Sequence, residues 1–158
     1  MRELLAISYE KQTFPKCREN DLKMKILSVV ETSIYVDDLD ATEDFYLRIL
    51  GLKVIARESD RHVFFQVGES NVLLAFNPQT TCTDDKMPHH GATGPGHLAL
   101  GIELLSLDDW RRHLEANDVS IETEVQWPAG GKSIYFRDPA GNSVELITPG
   151  VWQLPSGW

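Results

Sequence analysis

Residues 31–54, ETSIYVDDLDATEDFYLRILGLKV, and residues 97–121, HLALGIELLSLDDWRRHLEANDVSI, decide the fold, because they are two versions of one pattern. Each opens on a short alternating stretch and passes into a run with helical spacing. More alternating stretches follow: HVFFQVGESNVLLAFNP over 62–78 in the first copy, and KSIYFRDPAGNSVELITP over 132–149 in the second. Laid over one another, Glu31 matches His97, Phe65 matches Phe136 and Leu74 matches Glu145.

In the first copy, Val30, Thr32, Ile34 and Val36 share one face, while Glu31, Ser33 and Tyr35 occupy the other. A period of two is a strand. Asp40, with Glu43 three residues on, has the form of a capping box at a helix start. Phe45, Tyr46, Ile49 and Leu50 recur at helical spacing, and Gly51 is suited to end the helix. Strands are predicted over 53–57, 62–67 and 72–76, with a hairpin turn at 68–71.

The second copy repeats the plan. A strand starts at His97, and a helix capped by Ser106 carries Leu107, Trp110 and Leu114. Strands are predicted over 121–125, 132–136 and 143–147. The last two are joined by DPAGN over 138–142, where Pro139 pre-sets φ and Gly141 or Asn142 accepts a positive φ.

These readings give an α+β chain: two βαβββ modules in tandem, forming a shared concave cavity of mixed sheets. The modules run over about 26–78 and 97–149, within one domain spanning 26–149. A linker over 78–96, rich in Thr, Asp, Gly and Pro, separates them. Residues 1–25 fit neither repeat and read as an extension, with the functional domain expected to begin near Met24. The tail over 150–158 holds Trp152 and Trp158, which are expected to cover a subunit interface or the cavity mouth.

Composition narrows the function classes. The chain has 158 residues and a net charge of −9. Residues 1–25 carry six Lys/Arg and four Asp/Glu, so the remainder has 9 basic and 20 acidic residues. So acidic a surface disfavours nucleic acid, which needs a cationic footprint. No apolar run approaches the ~20 residues that span a bilayer, so no membrane partner is expected. Two cysteines, Cys17 and Cys82, without framework spacing, fit a reducing cytoplasm.

Strand parity places Glu31, Ser33, Tyr35, Leu74, His97, Ala99 and Glu145 on the concave faces. Glu31, His97 and Glu145 there supply one imidazole and two carboxylates. That donor set suits a divalent transition metal with positions left open for water or substrate. Arg137 is a rival counter-charge for the carboxylates, or a partner of Asp138 or Glu69 at the surface. Tyr35, Phe64, Tyr135 and Trp127 form a candidate apolar wall for a partly aromatic or hydrophobic substrate. His89 and His90 lie close enough in sequence to reach the cavity mouth. An exposed concave sheet favours a homodimer.

At VDDL (36–39), FY (45–46), LGL (50–52), GPGHLA (94–99) and YFRDPAGNSVEL (135–146), the chain resembles the vicinal oxygen chelate superfamily. That group includes glyoxalase I, extradiol dioxygenases and fosfomycin- and bleomycin-resistance proteins. The resemblance covers about 26–149 and implies ligand positions at Glu31, Leu74, His97 and Glu145. Leu74 cannot ligate, which disfavours glyoxalase I activity, and Glu31 stands where a His is common. The implied cofactor is one divalent metal ion (Mn, Fe, Ni or Zn), held by Glu31, His97 and Glu145, with Glu31 or Glu145 as a possible general base.

Two function classes follow. The first is a metal-dependent enzyme acting on a small molecule with adjacent oxygen atoms. The second is a non-catalytic binding or sequestering protein of the bleomycin-resistance type. Leu74, Tyr35, Phe64, Trp127, Tyr135 and Arg137 are the expected substrate-binding residues.

Overall fold

The computed structural model describes residues 26–82 and 88–158. The extension over 1–25, with Met24 and Cys17, lies outside the described residues. The two predicted modules are present. The first contributes β1 (Glu31–Tyr35), α1 (Leu39–Asp44), β2 (Lys53–Glu58), β3 (His62–Val67) and β4 (Asn71–Phe76). The second contributes β5 (His97–Gly101), a 3-10 turn (Leu104–Ser106), α3 (Leu107–Ala116), β6 (Thr123–Gln126), β7 (Lys132–Arg137) and β8 (Ser143–Ile147). Each sheet has four strands, ordered β1-β4-β3-β2 and β5-β8-β7-β6. In each, the first strand runs parallel to the last and the other pairs are antiparallel.

Local details refine the sequence reading. The cap of α1 is Asp38, whose side chain accepts from the Ala41 backbone N–H, rather than Asp40. Asp40 is engaged instead by Arg57, which also pairs with Glu43 at 2.7 Å, so the two residues of the predicted capping box face an arginine. The helix continues as a π-helical turn over Phe45–Ile49. Gly51 ends it at φ 66°, a conformation that glycine adopts without Cβ strain. Ser106 precedes α3 but does not cap it with its side chain: its hydroxyl donates to Glu103 O within the 3-10 turn. β6 begins two residues later than predicted. The linker forms a further short helix, α2 (Pro78–Thr81), capped by Asn77.

One hydrophobic core draws on both modules. Val63, Phe65, Leu73 and Ala75 of the first sheet belong to the same cluster as Ile134, Phe136, Val144 and Leu146 of the second. The first helix touches both sheets: Tyr46 lies 5.2 Å from Phe65, and Phe45 lies 6.2 Å from Phe136. The apolar faces are therefore consumed inside the chain. The alternate faces, carrying Glu31, Ser33, Phe64 and Leu74 on one sheet and Ala99, Tyr135 and Glu145 on the other, point away from this core.

A buried polar junction joins the modules. The Asp138 carboxylate accepts from the Ala140 and Asn142 backbone N–H groups at 3.0 and 2.8 Å and from the Asn142 side chain at 2.9 Å. It also accepts from the Tyr46 hydroxyl at 3.1 Å. Asn142 in turn accepts from the Gly96 N–H at 2.7 Å, which sets the entry to β5. Burial and the Asp138 charge push the Tyr46 phenol far above its ordinary range. Tyr46→Phe is expected to cost about 2 kcal/mol, as for a hydrogen bond to a charged group. Asp138→Ala, which strands four donors, is expected to cost more; urea denaturation of both variants reads the order.

Candidate metal and substrate site

The second sheet brings two of the three expected ligands together. Parallel pairing sets Ala99 opposite Glu145 and His97 opposite Ser143. His97 Nε2 then lies 3.3 Å from Glu145 Oε2. Its other nitrogen, Nδ1, sits 3.2 Å from the Ser143 carbonyl oxygen, so Nδ1 carries a proton and donates it there. That bond turns the Nε2 position toward the carboxylate, in the manner by which a second-shell carbonyl orients a metal-binding histidine. Glu145 is 4% exposed, and its Oε1 is buried without a hydrogen-bond partner. A buried carboxylate oxygen left unpaired costs several kcal/mol. A cation at this oxygen and at Nε2 would relieve that cost, and a divalent metal matches both donors.

Glu31 lies elsewhere. It is exposed at the start of β1 and lines a groove of about 620 Å³ whose walls come from the first sheet and the linker. Among the described residues, no three His, Cys, Asp or Glu side chains gather closely enough to hold a metal ion. One chain thus brings His97 to Glu145 without gathering Glu31 into the same cluster.

Tyr135 pairs across the ladder with Glu145. Burial, then the Glu145 carboxylate, push its phenol up to about 12. At neutral pH it is a protonated donor beside that carboxylate. Trp127 joins the same face: its indole N–H donates to Ser133 Oγ at 2.8 Å. Arg137 pairs with neither Asp138 nor Glu69. It donates to Glu122 at 2.9 Å and to the Gly141 carbonyl at 3.0 Å, so surface groups absorb its charge. The indole of Trp158 rests on Gly101, where any added Cβ would collide with it. The tail thus covers one end of the Glu145-bearing face.

On the first sheet, Leu74 is flanked by Ser33 on β1 and Phe64 on β3. His62 stacks on Phe64 with ring centres 4.0 Å apart. His90, from the linker, reaches this face: its Nδ1 lies 3.0 Å from the Tyr35 hydroxyl. Nothing in the sequence around His62 marked this ring stack. His89 also lines the groove.

These features agree with known proteins. Residues 26–146 match the family model described as the Glyoxalase/Bleomycin resistance protein/Dioxygenase superfamily. The chain belongs to this superfamily. It is 31% identical over 124 residues to a metallothiol transferase FosB of Staphylococcus saprophyticus, covering 78% of each chain. It is 26% identical to a lactoylglutathione lyase of Arabidopsis thaliana, covering 76% of this chain and 44% of that one. Among solved structures, a lactoylglutathione lyase from Agrobacterium tumefaciens superposes with a TM-score of 0.76 at 37% identity, covering 80% of this chain and 97% of that one. Among the described residues, no helix is long and apolar enough to cross a membrane.

Burial lowers the pKa of His62 below its ordinary 6.5, with Glu58 opposing the shift and Arg61 adding to it. The unfolded chain therefore binds the proton more readily, and stability rises with pH across that window. Stability is expected to be fully present above about pH 6.5 and to fall as pH drops through the lowered folded value. His62→Phe should flatten this part of the denaturation profile between pH 7 and 5.

Proposed function

We propose that the protein is a divalent-metal-dependent enzyme acting on a small molecule with two adjacent oxygen atoms, at sites completed between two copies of the chain. The observation that carries this reading is the Glu145–His97 pair: a buried carboxylate with an unpartnered oxygen beside an imidazole whose Nδ1 is held on a carbonyl. Such a pair supplies two ligands, and Glu31 supplies the third. Because Glu31 sits apart from the pair within one chain, the third ligand comes from the partner of a homodimer. The inward packing of both helix-side faces supports this, since it leaves the two polar faces open for a second copy.

The metal would act as a Lewis acid on the chelated oxygens and stabilise negative charge that develops there. Leu74 removes a fourth protein ligand, which leaves room for a bidentate substrate. The protonated Tyr135 phenol donates a hydrogen bond at the edge of the site, and Trp127 and Ser133 close its wall. Glu31 or Glu145, on leaving the metal, would serve as the general base that accepts a proton from bound substrate. The relatives' names, a metallothiol transferase and lactoylglutathione lyases, agree with small-molecule enzyme chemistry. The rival reading, a non-catalytic binding protein, draws on Leu74 and the acidic balance.

Metal content separates the two. Protein purified without chelators is expected to retain, or to take up on titration, one Mn, Fe, Ni or Zn ion per chain; no uptake of any of them leaves the binding-protein reading. Glu145→Ala should lose the metal while keeping the fold by circular dichroism. Mixing unfolded Glu31→Ala and Glu145→Ala chains and refolding them together should restore about a quarter of the wild-type metal sites, because each mixed dimer contains one intact site of two. No restoration would place the site within a single chain.

A further inference from the structure

We propose that the groove on the first sheet, between Glu31 and His90, is a pocket for an aromatic tail of the substrate. The proposal rests on the chelated head group argued above and adds what the other end of the molecule must be.

Four rings meet there. His62 stacks on Phe64 at 4.0 Å with 13° between the planes. Phe64 meets Phe76 edge-to-face at 5.2 Å, and Phe76 meets His90 edge-to-face at 4.6 Å. The hydroxyl of Tyr35 fixes His90 over this set, and the backbone carbonyl of His90 lies 3.8 Å from the Cys82 thiol. The linker thus supplies a wall that neither sheet could. The matching position of the second sheet has no such set, since Tyr135 answers to Phe64 and Glu145 to Leu74. The asymmetry is therefore a property of the site and not of the repeat.

Length and chemistry agree. Glu31 and Tyr35 both line the groove, four residues apart on β1. At about 3.3 Å per residue this is roughly 13 Å, longer than a two-oxygen head group fills. The groove volume, about 620 Å³, lies within the range of small-molecule pockets. Burial favours the uncharged form of the His62 ring, so that ring offers a face rather than a charge; Arg61, which also borders the groove, lies 3.7 Å from Glu58. A planar aromatic guest gains both area and edge-to-face contacts from such walls.

The test compares 2-oxo-4-phenylbutyrate with 2-oxobutyrate, which share the adjacent oxygens and differ by the ring, on the full chain loaded with metal. Calorimetry is expected to show the phenyl compound binding about tenfold more tightly. Phe64→Ala should bring the two affinities to within about twofold. His90→Ala, which lies outside the sheets, should do the same if the first variant fails to fold. Equal affinities, undetectable binding of the phenyl compound, or a preference that survives both substitutions would overturn the proposal. A second arm is independent of the metal. In chelator-treated protein, saturation-transfer NMR should detect the ring of 4-phenylbutyrate, which has no adjacent oxygens, and Phe64→Ala or His90→Ala should abolish the signal. Absence of that signal in the wild-type chain also overturns the pocket, whereas loss of metal binding alone overturns only the head-group reading.

Discussion

The Asp138 carboxylate is the constraint on which the rest depends. It closes the turn between β7 and β8 through two backbone N–H groups, and the same carboxylate receives the Tyr46 hydroxyl from the other module. Local turn chemistry and the docking of the modules are thus one interaction. Asn142, held by Asp138, sets Gly96 at the start of β5 and thereby the register that places His97 beside Glu145. A charge this well solvated by fixed donors tolerates burial that would otherwise be costly.

The contrast with Glu145 is informative. Both carboxylates are 4% exposed. Asp138 has four hydrogen bonds, while Glu145, beside the Tyr135 phenol and with His97 at 3.3 Å, keeps one oxygen with none. The first is a structural charge that the chain satisfies by itself. The second is incomplete, and incompleteness at a conformationally fixed position is what a ligand site requires. Arg137, the nearest alternative counter-charge in sequence, is turned outward to Glu122, which leaves the deficit at Glu145 in place.

Much of the architecture was legible from residue order. Period-two alternation located β1, β3, β5 and β8 to within about two residues, and Gly51 and the DPAGN turn marked two of the sharpest boundaries. Capping was less legible: the pattern at Asp40 and Glu43 has the form of a capping box, yet Asp38 caps α1, while Arg57, 17 residues away, engages Asp40. The π-helical turn at Phe45–Ile49 was not legible, because the pressure to bring both Phe45 and Tyr46 onto a buried surface comes from the opposing sheets. Parity placed Glu31, Ser33, Leu74, Ala99 and Glu145 on strand faces that the register sets away from the core cluster. It did not show that the helix-side faces pack together, nor that His90 crosses from the linker onto Tyr35 and Phe76.

The sequence by itself determined two βαβββ modules, the side chains on each face of each sheet, and the three polar positions where the repeat is broken. These follow from backbone periodicity and from pairing geometry, which act between neighbours. Only the tertiary structure decided which of those positions meet. His97 and Glu145 meet because β5 and β8 are hydrogen-bonded neighbours, whereas Glu31, on the first strand of the other sheet, is not gathered into a cluster with them. Which side chains converge depends on how the apolar faces are buried, and that is a property of the whole chain and, by our proposal, of two.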